Sequence, residues 1–210
     1  MKLAAFTVAA AIVASAATAS PLLPGGSVSP IPTFANSMLT ATPVTATNSY
    51  AFTSPGGLYS GLLTSQVFTN CADNPFGPNA YSFLYVISND ALSANSIGRF
   101  TVNGYGLVPT DVGMDPFVPF ALTQAFENTR QADGDSLGWS FVDLPTFGRL
   151  TPGSISRAFV VHTPATTYYL NDASVIDGDI AVAQAYAPLP TPGAGALLGL
   201  GTLAAFRRRR

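Results

Sequence analysis

The chain has 210 residues, of which 48% are hydrophobic and only 10% are charged. Five of its nine cationic residues lie at the two ends, at Lys2 and at Arg207 to Arg210, so the rest carries four arginines, eleven acidic side chains and a net charge of −7. Such a surface repels phosphate backbones, which argues against nucleic acid as a partner.

Residues 1–19 have the three parts of a secretory signal peptide. Lys2 supplies the positive region, residues 3–17 are apolar, and Ala17-Thr18-Ala19 gives the small residues that signal peptidase needs before the cut. A buried N-terminal helix is the competing interpretation, which one cation followed by an uncharged run and small residues disfavours. We therefore predict that the mature protein begins near Ser20.

Residues 20–54 form a leader rich in Pro, Thr and Ser. Because proline lacks a backbone N–H and is confined to sheet edges and bulges, we expect no regular strand pairing as far as Pro32. Residues 40–52 are expected to form one edge strand or two. A single folded domain is then expected over residues 55–187, which is long enough for a sizeable core.

Apolar side chains alternate with a period of two along much of this domain, as in strands with one face on a core. Residues 81–87 are predicted to be a central strand, because both of its faces are apolar: Tyr81, Phe83, Tyr85 and Ile87 on one, Leu84 and Val86 on the other. Further strands are predicted at residues 62–68, 98–105, 137–142, 154–162, 166–170 and 180–185. Many short strands with frequent turn residues are typical of a β-sandwich, here of jelly-roll or Ig-like type. Residues 122–130 are expected to form a short helix or an irregular excursion.

Two turns can be predicted in detail. Asp177-Gly178 lies between apolar residues, and Gly178 would supply the positive φ of a primed hairpin turn. Thr151-Pro152-Gly153-Ser154 places Pro and Gly at the two central positions of a type II turn.

The sequence contains few signs of catalysis. His162, the sole histidine, lies in a predicted strand, where a lone histidine is most often structural. Glycosidase chemistry needs two facing carboxylates, whereas the acids are Glu127 and ten aspartates that lie mostly at turns. We therefore predict that the protein is not an enzyme. A hydrolase that depends on His162 is the less favoured alternative.

Cysteine and aspartate residues suggest two further hypotheses. Cys71 is the only cysteine, so no internal disulfide can form, and we expect it to be a buried small hydrophobe rather than an intermolecular link. One cysteine and one histidine are too few for a Cys/His zinc site. Turn carboxylates suit Ca²⁺. Candidate ligands of a structural Ca²⁺, with solvated turn aspartates as the alternative, are Asp133 and Asp135 in one turn region and Asp172, Asp177 and Asp179 in another.

Exposed aromatic rings are the usual stacking platform for sugars in sandwich modules. Trp139 alternates with Leu137 and Phe141, which predicts a position on the core face. Tyr168 and Tyr169 are better candidates for sugar binding, because two adjacent strand positions cannot both face inward.

Residues 189–210 contain three distinct parts in succession. The motif Pro190-Thr191-Pro192 leads into a charge-free run from Gly193 to Phe206, and four arginines follow: Arg207, Arg208, Arg209 and Arg210. Arginines beside an apolar span stay on the cytoplasmic side of a membrane. The run has 14 residues, whereas about 20 are needed to cross a hydrocarbon core. It therefore suits transient residence better than permanent anchoring, although ordinary tail anchors are also built this way.

This order of parts resembles the PEP-CTERM sorting signals of Gram-negative bacteria, in a variant form with Thr191 where the family motif has glutamate. In that family an exosortase, a membrane-embedded cysteine transpeptidase, processes the protein near the Pro motif. The resemblance implies signal peptidase and exosortase as partners, an inner-membrane intermediate, and a final location on the cell surface or in the extracellular matrix. Residues 57–68 and 174–188 are also similar to the body of a PEP-CTERM family of secreted β proteins, for which no activity can be carried over.

The combined expectation is a secreted, exosortase-sorted protein with a structural or adhesive role, linked to exopolysaccharide and biofilm. A β-sandwich carbohydrate-binding module, with extracellular polysaccharide as the partner, is the alternative.

Overall fold

The computed structural model describes residues 21–35, 38–106, 108–115, 123–142 and 148–189. The predicted signal peptide, including Ala17, Ala19 and Ser20, and the predicted sorting signal from Pro190 to Arg210 lie outside the described residues. Within those ranges there is no α-helix, and the strands are β1 (Ser27–Val28), β2 (Thr42–Pro43), β3 (Asn48–Thr53), β4 (Ser60–Thr69), β5 (Ser82–Asn89), β6 (Arg99–Val102), β7 (Asp111–Met114), β8 (Glu127–Arg130), β9 (Leu137–Ser140), β10 (Phe159–His162), β11 (Tyr168–Ile176) and β12 (Ile180–Pro188).

The strands form two antiparallel sheets, which confirms the all-β prediction. Sheet 1 has the order β1-β8-β9-β6-β11-β12, and sheet 2 has the order β2-β4-β5-β10-β7, with β3 also paired to β4. The inner faces of both sheets contribute to one hydrophobic core.

Strand β5 occupies the centre of sheet 2, between β4 and β10, as its two apolar faces predicted. Phe83, Tyr85 and Ile87 are fully buried on the inner face, whereas Leu84 and Val86 are half-buried on the outer one. Residues 40–52, for which one edge strand or two were predicted, contain β2 and most of β3.

Trp139 lies at the centre of an aromatic cluster, on the core face as predicted. Its indole is stacked on Phe100, with ring centroids 4.7 Å apart and an interplanar angle of 8°. Tyr85 and Phe159 pack against the same indole at 5.6 and 5.7 Å. Rings from both sheets therefore fill this part of the core.

In the hairpin of β11 and β12, strand β12 contributes small side chains to the core rather than aromatic rings. The inner face of β12 consists only of alanines, Ala181, Ala183, Ala185 and Ala187, all of them buried. Small side chains allow β12 to approach sheet 2 closely, so that Tyr186 N–H donates a hydrogen bond to Ser65 Oγ at 3.1 Å. The Tyr85 hydroxyl donates to the Tyr186 carbonyl at 2.6 Å.

Both predicted turns have glycine in the left-handed region. Gly153 has φ 79° and Ser154 N–H donates to Thr151 O, in agreement with the type II turn. Gly178 has φ 73°, but three residues separate the paired Ile176 and Ile180. The hairpin therefore has a three-residue loop: the positive φ predicted for Gly178 is confirmed, but the connection is longer than a two-residue primed turn.

The prediction of a helix or excursion at residues 122–130 was wrong for its second half, which is strand β8. The strand does alternate, but Asn128 and Arg130 are the buried residues and Glu127 and Thr129 the half-buried ones. A search for alternating apolar residues does not detect β8, because the residues that alternate between buried and half-buried positions are polar.

The prediction of no regular pairing before Pro32 was also wrong. Strand β1, between Pro24 and Pro30, pairs with β8, and Thr33 forms a parallel bridge with Met114. The buried guanidinium of Arg130 holds the leader in place. It donates hydrogen bonds to the carbonyls of Leu22, Tyr105, Val108 and Gly134. A proline removes only its own donor, so the residues between two prolines remain free to pair.

Several strand bounds differ from the prediction. Residues 154–162 contain only the strand β10, and residues 166–170 contain only the start of β11, which continues through Asn171 and Asp172 to Ile176. Strand β7 was missed altogether, because all four of its residues are buried and it shows no alternation.

Candidate functional site

Tyr168 presents the most prominent exposed aromatic surface near the end of the hairpin. Its side chain is packed edge-on against Tyr186, with ring centroids 5.4 Å apart at 87°, and lies 6.1 Å from the ring of Tyr81. Tyr168 is 38% exposed, whereas Tyr81 and Tyr186 are half-buried and pack against the core. The two neighbours thus fix the orientation of the exposed ring.

Tyr169 does not share this surface. The two tyrosines lie on opposite faces of β11, as strand alternation requires, and Tyr169 is half-buried on the inner one. Its hydroxyl accepts a hydrogen bond from Asn171 Nδ2 at 2.8 Å. Burial raises the pKa of this hydroxyl, and the carboxylates of Asp135 and Asp172 raise it further. Of the two candidate residues, Tyr168 is therefore the exposed one, beside Tyr81 and Tyr186, and Tyr169 lies on the other face of the strand.

A polar row lies on the outer face of sheet 2, where three strands place one residue each side by side. His162 in β10 is paired in register with Ser82 in β5 and with Asp111 in β7. Ser82 Oγ and His162 Nδ1 are 2.7 Å apart and share a hydrogen bond, while His162 Nε2 is buried without a hydrogen-bond partner. Exposure is 1% for Ser82, 0% for His162 and 6% for Asp111.

The row is covered by the leader, although it lies on an outer face. The ring of Phe34 packs on His162, with centroids 4.5 Å apart. It also occupies the space above Gly113, where a Cβ atom would meet three ring carbons at 2.5 to 2.7 Å. The lack of a Cβ atom at Gly113 therefore leaves the space that the Phe34 ring occupies.

Burial shifts both titratable groups of the row towards their neutral forms. It lowers the pKa of His162 to about 4 and raises the pKa of Asp111 to about 6, the latter opposed by a hydrogen bond from Val112 N–H. At pH 7 the imidazole is neutral. The neutral imidazole could accept the proton of the Ser82 hydroxyl. Because that hydroxyl is buried, however, a substrate cannot reach it. The row is therefore arranged as a packed structural element.

Cys71 extends the same polar cluster towards the surface. It is buried, as predicted, and burial raises the pKa of its thiol, against a hydrogen bond with Ser82 that lowers it. Asn74 Nδ2 donates to Ser82 Oγ at 3.1 Å. Both residues line an open depression of about 470 Å³ together with Thr40, Asn70, Ala72, Gly77 and Pro78.

Four of the five aspartates that were candidate calcium ligands accept hydrogen bonds from backbone N–H groups or from Arg149. Asp133 accepts from the N–H of Asp135, and Asp135 accepts from Gly106 N–H. Asp177 forms an ion pair with Arg149 at 2.7 Å.

Asp179 accepts hydrogen bonds from the N–H groups of Gly56 and Ile180, and Asp172 points outward from the middle of β11. Among the described residues, no group of three or more His, Cys, Asp or Glu side chains is arranged to hold a metal ion. The calcium hypothesis stays a prediction without a preformed site in this part of the chain.

Sequence reasoning missed Ser82, Asp111 and Phe34, because a row across strands of unknown order leaves no local pattern. It could have found Tyr186, which shares the outer face of β12 with Val182 and Gln184 while alanines occupy the inner face. In the part of the chain that the structure describes, no helix reaches the length and apolarity of a membrane span.

Comparisons with known proteins complete these observations. No protein-family model, curated protein or solved structure was found to match this chain.

Proposed function

We propose that this chain is an exported protein which a C-terminal sorting signal delivers to the cell surface or extracellular matrix, where it has a structural or adhesive role. The observation that carries the proposal is the tail itself: a Pro-Thr-Pro motif, a charge-free apolar run and four arginines. This order resembles a PEP-CTERM signal, which an exosortase processes.

The position of the folded body supports the proposal. Strand β12 ends at Pro188, and only Leu189 separates it from the Pro190-Thr191-Pro192 motif. A cut near the motif would therefore release the whole body without breaking a strand. The shared core of the two sheets favours a β-sandwich, of jelly-roll or Ig-like type, as the delivered module.

The test is intact-mass analysis of the protein from membrane, outer-surface and medium fractions. We expect the membrane fraction to contain a form that ends at Arg210, and the outer fractions to contain a form cut near Pro190. An outer-surface protein that still ends at Arg210 would rule out sorting by this tail.

Two double variants separate the motif from a general effect of proline. Pro190→Ala/Pro192→Ala is expected to leave the uncut form in the membrane fraction. Pro21→Ala/Pro24→Ala changes two prolines in the leader and is expected to be cut like the natural sequence.

Carbohydrate binding is a second candidate, favoured by the exposed ring of Tyr168 between Tyr81 and Tyr186. An exposed aromatic ring offers a large apolar surface with a polar edge, on which a sugar ring can stack. A glycan array probed with residues 20–189 tests this function. Saturable binding to a polysaccharide fragment that Tyr168→Ala abolishes would support it.

Tyr50 provides the matched control, because it is also 38% exposed. Tyr50→Ala should leave the glycan signal unchanged. Equal loss in the two variants, or no signal with any glycan, would argue against a sugar site at Tyr168.

A further inference from the structure

The outer edge of strand β3 is open in the part of the chain that the structure describes. Strand β3 pairs with β4 on one side only, and Ser49, Ala51 and Thr53 are exposed. At the end of this ladder Ser54 N–H donates to Tyr59 O, and bonded pairs alternate along antiparallel strands. The bonds to β4 therefore come from the even-numbered residues of β3. The N–H and C=O groups of the odd-numbered residues point away from the sheet.

The other edges of the two sheets are covered or short. At the edge of β7, the backbone of Met114 is hydrogen-bonded to that of Pro32 and Phe34. At the edge of β12, the backbone of Tyr186 is bonded by side chains of sheet 2. Strand β1 has only two residues. Because unpaired strand edges recruit further strands, β3 is the place where a described sheet can be extended.

Strand β3 also lacks the features that keep edge strands apart. Such strands usually carry a charged residue, often lysine, or a proline. Strand β3 has neither, and the neighbouring strands β4 and β5 contain no charged residue. The chain between its two basic ends carries a net charge of −7. Two copies therefore repel one another over much of their surface but not along this neutral edge.

The edge of β3 is complementary to a second copy of itself. In a two-fold antiparallel pair centred on Ala51, Ser49 of each copy lies opposite Thr53 of the other. These odd-numbered residues form the bonded pairs of the new ladder, so their outward N–H and C=O groups all find partners. On the inner face, Tyr50 lies opposite Phe52 of the other copy at the closer, non-bonded spacing. Tyr50 is 38% exposed, so the pairing gives its ring an aromatic neighbour.

The size of this contact indicates a reversible pair. Strand β3 extends about 20 Å, and a sheet with its side chains is about 10 Å thick, so the edge offers roughly 200 Å². A stable complex of separate proteins buries about 800 Å² on each partner. A contact this small fills only with an abundant partner, and another copy of the chain is the abundant partner that has this complementarity.

We propose that strand β3 pairs antiparallel with β3 of a second copy, so that sheet 2 continues through a two-fold dimer. A two-fold contact uses the same edge on both copies, and the other edges are covered or short. The assembly therefore stops at two copies rather than growing into a fibre. The dimer goes beyond the proposed function and does not depend on removal of the tail.

Disulfide cross-linking at the two-fold axis tests this dimer. Ala51→Cys is produced in the full chain, broken cells are oxidised with copper–phenanthroline, and the cross-linked dimer is measured on a non-reducing gel. Bonded antiparallel pairs have Cα atoms about 5.5 Å apart, within the range of a disulfide. We expect about tenfold more dimer than from the control variants, because pairing holds the two thiols at a high effective concentration.

Ser49→Cys is the matched control, because Ser49 is exposed on the same face of the same strand. In this register it lies about 14 Å from its own counterpart, beyond the reach of a disulfide. Ser49→Cys should therefore cross-link only when it is mixed with Thr53→Cys. Leu92→Cys, at a position that is 98% exposed and lies away from β3, measures chance collisions. The natural Cys71 is buried and is present in every variant.

Thr53→Pro tests the hydrogen bonds of the pair. In the Ala51→Cys chain it removes an N–H that points outward, so the ladder with β4 is retained. We expect about fivefold less cross-linking, as for the loss of one hydrogen bond. Thr53→Ala keeps the N–H and should leave cross-linking unchanged.

Equal cross-linking of Ala51→Cys and Ser49→Cys would overturn the inference, and so would a product whose mass shows a different protein joined to the chain. Cross-linking that Thr53→Pro does not reduce would contradict the pairing of backbone groups. None of these results bears on the mass analysis of tail cutting. The dimer can therefore fail while tail processing stands, and the reverse.

Discussion

The outer faces of the two sheets differ in a way that their positions alone do not predict. On sheet 2, the polar row of Ser82, His162 and Asp111 is buried, and Phe34 packs on His162. On sheet 1, the β11–β12 hairpin turns apolar Leu170 and Val182 to solvent. Polar side chains are therefore buried on the outer face of sheet 2, whereas apolar side chains are exposed to solvent on the outer face of sheet 1.

The difference shows that burial is decided by what lies on top of a sheet as much as by which face a residue occupies. The leader supplies the cover over sheet 2, and the polar side chains beneath it share hydrogen bonds as burial demands. Along the hairpin, no described segment lies over the exposed apolar side chains. An apolar surface that folding leaves open points to an interaction.

The largest effect is expected from a substitution that forces the cover away from sheet 2. In Gly113→Val the new side chain would occupy the space of the Phe34 ring. We expect a loss of about 3 kcal/mol in the free energy of unfolding, in the range of overpacked cores. Urea denaturation gives the value.

Gly148→Val is the control for loss of glycine, since a Cβ there meets no atom within 4 Å. It should cost less than about 1 kcal/mol. Equal losses at the two glycines would mean that Phe34 does not seal sheet 2.

The hydrogen bond inside the covered row should have the next largest effect. Ser82→Ala removes the partner of His162 Nδ1, and the other ring nitrogen is already unpartnered. An imidazole buried with no hydrogen bond is expected to cost about 2 kcal/mol in unfolding free energy.

Ser49→Ala provides a comparison, because the Ser49 hydroxyl bonds Thr64 Oγ1 at an exposed site. Water replaces that bond, so the cost should stay below about 1 kcal/mol. If Ser82→Ala is as mild as Ser49→Ala, water must reach the row, and the cover is less tight than the packing of Phe34 indicates.

The open hairpin could be predicted from sequence better than the covered row. In β12, alanines alternate with Ile180, Val182 and Tyr186, so the period of two defines both faces. No comparable signal marks the row, because Ser82, His162 and Asp111 come from strands that are adjacent only in the folded sheet. Strand order depends on long-range pairing, which one sequence does not encode locally.

The same reasoning explains the errors in the leader and at β8. Strand β8 buries Asn128 and Arg130, and the guanidinium of Arg130 is satisfied by carbonyls far away in the sequence. A polar residue can be buried when such partners exist, but the partners appear only after folding. Tyr168 and the turn residues Asp133, Asp177 and Asp179, by contrast, were predicted on local grounds and lie where alternation and turn chemistry put them, whereas Asp172 lies within strand β11.

Acidification should distinguish the two titratable groups of the covered row. The folded pKa of His162 is about 4 against 6.5 for the unfolded side chain, so the unfolded state binds the proton first, and stability falls as pH drops from 6.5. The folded pKa of Asp111 is about 6 against 3.8, so the native state binds its proton first, and stability rises as pH drops below 6.

The two effects oppose one another, and the natural protein should show a shallow dependence between pH 4 and 6. Asp111→Asn removes the carboxyl group, so that His162 is the remaining titratable group of the row. We expect this variant to lose about 1 to 2 kcal/mol of unfolding free energy between pH 6.5 and 5. Urea midpoints at the two pH values measure this loss. A flat profile in Asp111→Asn would show that His162 takes up its proton in the folded state.

The smallest effect is expected on the open face. Val182→Ser in the chain ending at Leu189 should change the free energy of unfolding by no more than about 0.5 kcal/mol, as for other surface positions. Val175→Ser, on the buried face of β11, should cost several times more and shows that the assay detects core damage. Comparable losses at both valines would place the outer face within the packed structure of the body. If Val182→Ser leaves the free energy of unfolding unchanged, folding does not require an apolar residue at position 182. Contact with another surface then remains as the explanation for a valine at this exposed position.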